Sequence, residues 1–299
     1  MEHAIMGRVA DQLETLVGLR GAWSSTLATQ SWTSPVKPER LRYQRCLLDE
    51  LFEADQSDVA REGRSVVLTA GPPGAGKSTA VAGLVLDGWR VIDADDIKVR
   101  LLEDGRVDGR FSVALDTVLV DGFPVRLNEL STLVHVESAR LADRMAERSI
   151  EAGENVVIVG TLSWPGTVEE NLKRLGLHDY HDVRVIDVEV PRDIALDRAY
   201  LRWARGRQAA AEGRDPRGGR FTPRAAIESL YNENERHSRC NENAVHFFTS
   251  DAASVFETLE LTVSADGAGP HVYKRALGEY LTAVPRGLNE QDVRGPRPQ

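Results

Sequence analysis

The 299-residue chain carries 37 Lys and Arg against 46 Asp and Glu, a formal net charge of -9 at pH 7. That balance argues against a nucleic-acid binder, whose surface must neutralise phosphates, and no apolar run reaches the roughly 18 residues a membrane-spanning helix needs. With Cys46 and Cys240 the only cysteines, a disulfide framework and a cysteine-based metal cluster are excluded, and a cytoplasmic location is expected.

Residues 1–62 predict an N-terminal helical segment. "VADQLETLVGL" and "RLRYQRCLLDELFEAD" repeat apolar residues at three- and four-residue intervals, broken at "TSPVKP". The opening "MEHAIMGRVADQLETLVGL" carries acids early and no long apolar core, so no secretory leader is expected. From residue 64 short β-branched runs alternate with helical stretches. The predicted strands are "SVVLTA" (65–70), "RVIDA" (90–94), "NVVIVGT" (155–161) and "VRVIDVEV" (183–190). The helices that follow them are "KSTAVAGLVL", "DDIKVRLLED", "PGTVEENLKRLG" and "RDIALDRAYLRWARG", with further helices over 137–153 and 224–240. Near-continuous apolar strands separated by helices predict an α/β fold, a mostly parallel sheet flanked by helices. The expected organisation is a helical segment over 1–62, a P-loop kinase-type domain over 63–284 with its core at 64–240, and a loose tail over 285–299.

Gly71-Pro72-Pro73-Gly74-Ala75-Gly76-Lys77-Ser78, followed by Thr79, fits the pattern G-x-x-x-x-G-K-[ST]. Glycines let the backbone curl so that N–H groups point at phosphate oxygens, and the helix opening at Lys77 adds its positive end. Lys77 is expected to reach the outer phosphates of ATP or GTP, and the Ser78 hydroxyl to ligate Mg²⁺. A strand before the motif and a helix after it meet the context that such a loop needs.

A phosphate loop alone suits a switch, a motor or a kinase. The second strand runs into "RVIDADDIK", with Asp93 and Asp95 18 residues or fewer past Lys77, at the carboxyl end where open α/β sheets bind ligands. On a strand the two carboxylates would share a face, and one can take or orient a hydroxyl proton of an acceptor. The plainer alternative is that Asp95 or Asp96 caps the following helix.

Here the sequence resembles the zeta toxin family of kinases. The resemblance rests on the phosphate loop, on Ile92-Asp93-Ala94-Asp95-Asp96-Ile97-Lys98, and on "HVESARLADRMAERSIEAGENVVIVGT". It continues through "VEVPRDIALDRAYLRWARGR" and "GGRFTP", covering about 64–240. Such kinases phosphorylate UDP-N-acetylsugars at the sugar 3'-hydroxyl with ATP or GTP and Mg²⁺, as toxins held by an antitoxin protein. The resemblance implies Asp95 as the base, Asp93 and Lys98 beside it, and Glu137 and Thr161 on the substrate side. It implies Arg220 as a lid arginine on the transferring phosphoryl. Its partner is either Arg202, which the family spacing from Pro191 favours, or Arg198 one turn earlier.

The arginines also make independent sense. Arg198, Arg202 and Arg205 recur at i, i+4 and i+7, "GRDPRGGRFTP" can close as a glycine-rich lid, and guanidinium forks stabilise a migrating phosphoryl. The sequence departs from the family at Val159, where a glutamate ordinarily precedes Gly160-Thr161, and Asp187 is the acid available to compensate. "TVLVDGFPVR" echoes the Asp-Gly-Phe-Pro segment of adenylate kinases but reads as a turn at Asp121-Gly122. His135 is a candidate base and Trp164 and Trp203 candidate stacking rings, each set against a structural role. Two further readings stand beside the kinase: a nucleotide-binding regulator or degenerate kinase, and a kinase for another metabolite such as a nucleoside, antibiotic or dinucleotide.

Overall fold

The computed structural model describes residues 2–18, 20–23, 37–54, 59–61, 63–84, 86–232, 237–265 and 269–279. The expected break at 33–38 falls mostly outside these residues, and the expected tail at 285–299 falls wholly outside them. The chain divides into two compact units. One holds residues 1–54, 93–145 and 193–229, and the other holds 55–92, 146–192 and 230–299.

The second unit is built on a six-stranded sheet in the order β2-β3-β1-β4-β5-β6. The strands are β1 (Ser65–Ala70), β2 (Arg90–Asp93), β3 (Val156–Val159), β4 (Asp182–Glu189), β5 (Thr258–Ala265) and β6 (His271–Ala276). β1 runs parallel to β3 and β4, β4 runs parallel to β5, and β6 closes the edge antiparallel to β5. β1 is central, so Val66, Val67 and Leu68 are all buried, and this is why it reads as an unbroken apolar run. β5 and β6 lie outside the predicted set, although β5 buries Leu259, Leu261 and Val263 in alternation. Arg90 and Glu154 form a fully buried ion pair, with Arg90 Nε donating to Glu154 Oε2 at 2.6 Å.

The first unit is helical. α1 (Glu2–Val17) and α2 (Pro38–Ala54) begin it. In the second unit α3 (Lys77–Ala82) follows the phosphate loop and stops at Gly83, short of the predicted end, because glycine propagates a helix poorly. α4 (Ala94–Val107), α5 (Ser112–Leu115) and a 3₁₀ helix (Leu127–Val134) lead into α6 (His135–Glu151). α7 (Pro165–Leu177), α8 (Arg192–Ala211), α9 (Arg224–Glu228) and α10 (Arg239–Thr249) complete the set. Of the helix expected over 224–240, Arg224–Glu228 forms, and the next helix begins only at Arg239 and runs on to Thr249. α9 ends at Glu228, and α10 restarts where Ser238 Oγ accepts from the N–H groups of Cys240 and Asn241.

α1 is integral to the first unit's core. It buries Val9, Leu13 and Val17 at four-residue steps in one cluster with Ile97, Leu101, Phe111, Leu130 and Trp203. Each such side chain contributes roughly 1.5–3 kcal/mol by leaving water. Among the described residues no helix is long and apolar enough to cross a membrane.

Candidate functional site

The phosphate loop leaves β1 through Gly71, whose N–H donates to the Thr161 carbonyl at 3.1 Å. Gly71 (φ 128°), Gly74 (88°) and Gly76 (108°) all take the left-handed backbone that side chains resist. At Gly71 a Cβ would also collide with the Val188 carbonyl of β4. Lys77 Nζ donates to the Gly71 and Pro72 carbonyls at 2.6 and 2.9 Å, so its ammonium is folded over the loop. Ser78 and Thr79, in the first turn of α3, expose their side chains to solvent. The donor set suits a polyphosphate, with an ammonium, a curled glycine backbone and a helix start together. Among the described residues no group of three or more His, Cys, Asp and Glu is placed to hold a metal ion. A Mg²⁺ arriving with a nucleotide would take the Ser78 hydroxyl from the protein.

A second constellation lies in the helical unit, around Asp95. β2 ends at Asp93, and Asp95 belongs to the first turn of α4, so the two carboxylates do not share a strand face as expected. Asp93 is the capping residue: its Oδ1 accepts the Asp95 N–H at 2.8 Å. That leaves the Asp95 side chain free of capping. Its Oδ1 accepts from Lys98 Nζ at 2.8 Å and its Oδ2 accepts from Arg220 Nη1. Burial opposes ionisation of Asp95, but Lys98, Arg220 and Arg202 together outweigh it and hold its pKa below the ordinary aspartate value. Asp93 is shifted the other way, mainly by burial.

Arg202 is thus the α8 arginine whose charge acts on Asp95 and Arg220. Desolvation, then the like charge of Arg220, lower its pKa. Arg198, one turn earlier, Arg202 itself and Arg205 are all exposed residues, so charge and not burial sets Arg202 apart. His135 opens α6 and keeps one face in solvent. The protein packed around it, then the Lys98 ammonium, push its pKa down, and the Asp95 charge offsets part of that.

Residues 66–214 match the family model of the AAA domain. Strand β1, the phosphate loop and helix α3 all fall inside the match. No curated protein matches the sequence. Among solved structures, a chain from the PezAT chromosomal toxin–antitoxin system of the human pathogen Streptococcus pneumoniae is 11% identical. It has a TM-score of 0.49, with 82% of each chain covered. A chain of the AvrRxo1-ORF1:-ORF2 complex is 16% identical with a TM-score of 0.42, covering 86% of this chain and 73% of that one. Arg220 lies just beyond the AAA domain match, and Asp95, Lys98 and Arg202 lie within it.

Val159 closes β3 and packs against the apolar cluster of Val67, Val81 and Val157. Asp187, the acid available in its place, sits on β4 level with Ala70. It is completely buried; Oδ2 accepts from Asn241 Nδ2 at 2.6 Å, while Oδ1 has no hydrogen-bond partner among the described residues. Two residues on, Glu189 accepts from the Ser238 N–H at 2.9 Å and from the Ser238 hydroxyl. Burial raises the pKa of both carboxyls, Glu189 further through the charge of Asp187, and Lys77 offsets part of each rise. Asp187 and Glu189, alternating with apolar residues in the last half of β4, are the visible signal for this cluster, and the sequence reading takes up Asp187 alone.

Other expected site residues are differently employed. Glu137 is closed off, because it is 2% exposed and ringed by donors from α2. Arg40 Nε and Nη2 bond to it at 2.9 and 3.0 Å, and Gln44 Nε2 at 2.6 Å. Thr161 supplies its carbonyl to Gly71, and its hydroxyl donates to Ser163 Oγ at 2.9 Å. Trp203 is a core residue, whereas Trp164 is 60% exposed, with its ring lying on Gly166.

Asp121-Gly122 does form a turn, in which the Leu119 N–H donates to the Phe123 carbonyl at 2.9 Å. The Asp121 carboxylate grips the buried Arg207 at 2.7 and 2.8 Å. Arg207 also meets Glu129 at 2.7 Å, and Glu129 accepts from Trp203 Nε1 at 2.9 Å. Sequence reasoning missed Arg207 and Glu129. The trace was there in Arg207 standing one turn after a core tryptophan, on the buried face of α8.

Proposed function

We propose that this protein is a phosphotransferase that moves the γ-phosphoryl group of ATP, or of GTP, to a hydroxyl of a nucleotide-activated sugar of the UDP-N-acetylglucosamine type. The observation that carries the reading is the Asp95 carboxylate, kept ionised by Lys98, Arg220 and Arg202 at the start of α4. A switch or motor needs no such residue. A small-molecule kinase needs a carboxylate to orient and deprotonate the acceptor hydroxyl, and cations to meet the charge that develops. Lys77 and the glycine backbone would hold the nucleotide, and Ser78 its Mg²⁺. When bound, the nucleotide supplies the phosphoryl group and the metal neutralises its oxygens. Arg220 and Arg202 would supply the positive charge that the migrating group needs, and Lys98 would stay on the carboxylate to keep it aimed. The antitoxin partner implied by the family resemblance belongs to this same reading.

The test is transfer from γ-labelled ATP to a panel of UDP-N-acetylglucosamine, other UDP-sugars, nucleosides and NAD, with Asp95→Ala beside the wild type. Labelled sugar nucleotide from the wild type alone supports the proposal. Product on a nucleoside or dinucleotide only would reassign the acceptor. Val159 favours a second reading, a nucleotide-binding regulator, because the chain carries no carboxylate at that point of β3. ATP bound with ordinary affinity and no product on any acceptor would select it.

A further inference from the structure

The glycine-rich stretch before Arg220 reads as a lid, yet its last two glycines are packed down inside the helical unit. Gly218 and Gly219 are buried. A Cβ on Gly206 of α8 would collide with the Gly219 Cα, and a Cβ on Gly219 would strike the Trp203 carbonyl. Helix and loop backbones therefore touch, which two facing glycines permit and side chains forbid. Asn128 holds the stretch at a further point. Its N–H donates to the Arg217 carbonyl at 2.9 Å and its Nδ2 to the Gly218 carbonyl at 2.8 Å. Immediately after Arg220, Phe221 is buried edge-on against Trp203, the ring centroids 5.5 Å apart and the planes at 79°. Trp203 is itself fixed through Glu129 to Arg207. Arg220 thus leaves a backbone anchored on both sides.

We infer that Gly206, Gly219 and Asn128 are positioning residues, which set the Arg220 guanidinium on Asp95 before any ligand arrives instead of leaving a closing loop to deliver it. Its consequence for turnover rests on the phosphotransfer reading; the positioning itself does not. An arginine held in place loses less freedom when it meets developing charge, and its field needs no reorganisation at that moment. The same clasp explains two glycines, Gly206 and Gly219, that neither a phosphate nor a tight turn requires. Gly206 stands inside a helix, where glycine is unfavourable.

The readout is the titration of the Asp95 carboxyl by ¹³C NMR in the full chain. The groups that act on Asp95 are Lys98 from α4, Arg202 from α8, Arg220, His135 from α6 and Asp93 from the end of β2. Arg220→Ala removes a cation and is expected to raise the Asp95 pKa by about 1. Asn128→Ala and Gly206→Ala leave every charge in place, yet each is expected to reproduce a substantial part of that rise with a cooperative melt retained. Gly206→Ala overfills a backbone contact; if it fails to fold, Asn128→Ala decides alone, since it only deletes a hydrogen bond. A folded Asn128→Ala with Asp95 titrating as in the wild type overturns the proposal, and so does an Arg220→Ala that leaves Asp95 unmoved. Where labelled transfer is found, Asn128→Ala should lower kcat about tenfold with ATP affinity unchanged. A wild type that transfers nothing defeats the phosphotransfer reading and leaves the titration result standing.

Discussion

Asp95, half-buried, and Asp187, fully buried, are acids with opposite fates, and the difference lies in their neighbours. Asp95 has two cations on its oxygens, whereas Asp187 has one amide and an oxygen with no hydrogen-bond partner among the described residues. A lowered native pKa means that Asp95 adds stability above its unfolded value, about 3.9, and that the contribution is lost as pH falls through the lower native value. The acid limb of a transfer-rate profile should therefore lie below the ordinary aspartate range and move up in Arg220→Ala; a limb already set at pH 5 or above in the wild type would contradict this. Asp187 runs the other way. As pH rises past about 3.9 the unfolded chain gives up a proton that the native one keeps, so stability falls until the native group also ionises. Asp187→Asn is expected to raise the melting temperature at pH 8 by about 2–4 °C, some 1 kcal/mol, and by less at pH 5. Thermal melts at the two pH values check it.

At the scale of elements, α1 and α2 both put apolar side chains into the core of the helical unit, Leu13 and Leu47 among them, and α2 adds a second tie. α1 contributes a row of apolar side chains, so Leu13→Ala should cost about 2–4 kcal/mol through lost burial and the cavity left behind. Denaturant melts would show this as a lower midpoint with an unchanged slope. The second tie from α2 is charge. Arg40 and Gln44 supply three hydrogen bonds to a Glu137 that burial would otherwise drive toward protonation. Arg40→Ala leaves that carboxylate without its counter-charge and should cost about 3 kcal/mol. Adding Glu137→Gln to the same chain should recover much of the loss, because the stranded charge is gone. Equal stability of the single and double variants would show that packing of the arginine stem, and not charge, was what α2 supplied.

For the molecule as a whole, the helical unit is assembled from three separate stretches of chain: 1–54, 93–145 and 193–229. Its core cluster takes residues from all three, with Val9, Ile97 and Trp203 as examples. Removing residues 1–54 should therefore uncover apolar surface and abolish the cooperative melt of that unit, while ATP binding at the phosphate loop survives. Limited proteolysis of the truncated chain, read for cuts within 93–145 and 193–229, together with nucleotide titration, would report both halves of the prediction. Resistance equal to that of the full chain would mean that the N-terminal helices are a detachable appendage.

The sequence by itself determined the phosphate loop, four strands of a mostly parallel sheet and the place of the main helices, because these are marked by local signals. Glycine, lysine and serine at fixed spacing, and apolar runs of the right length, act through the backbone within a few residues of themselves. It also marked Asp95, Lys98, Arg202 and Arg220 as charges worth watching. Only the tertiary structure decided what those charges do. Asp93 became the cap and Asp95 the paired carboxylate because the strand ends one residue earlier than the pattern suggests. Glu137 was closed off by Arg40, 97 positions away, and Arg220 was set on Asp95 across 125. Partners at such separations leave no periodic trace, since an ion pair depends on where two side chains end in space and not on their spacing along the chain.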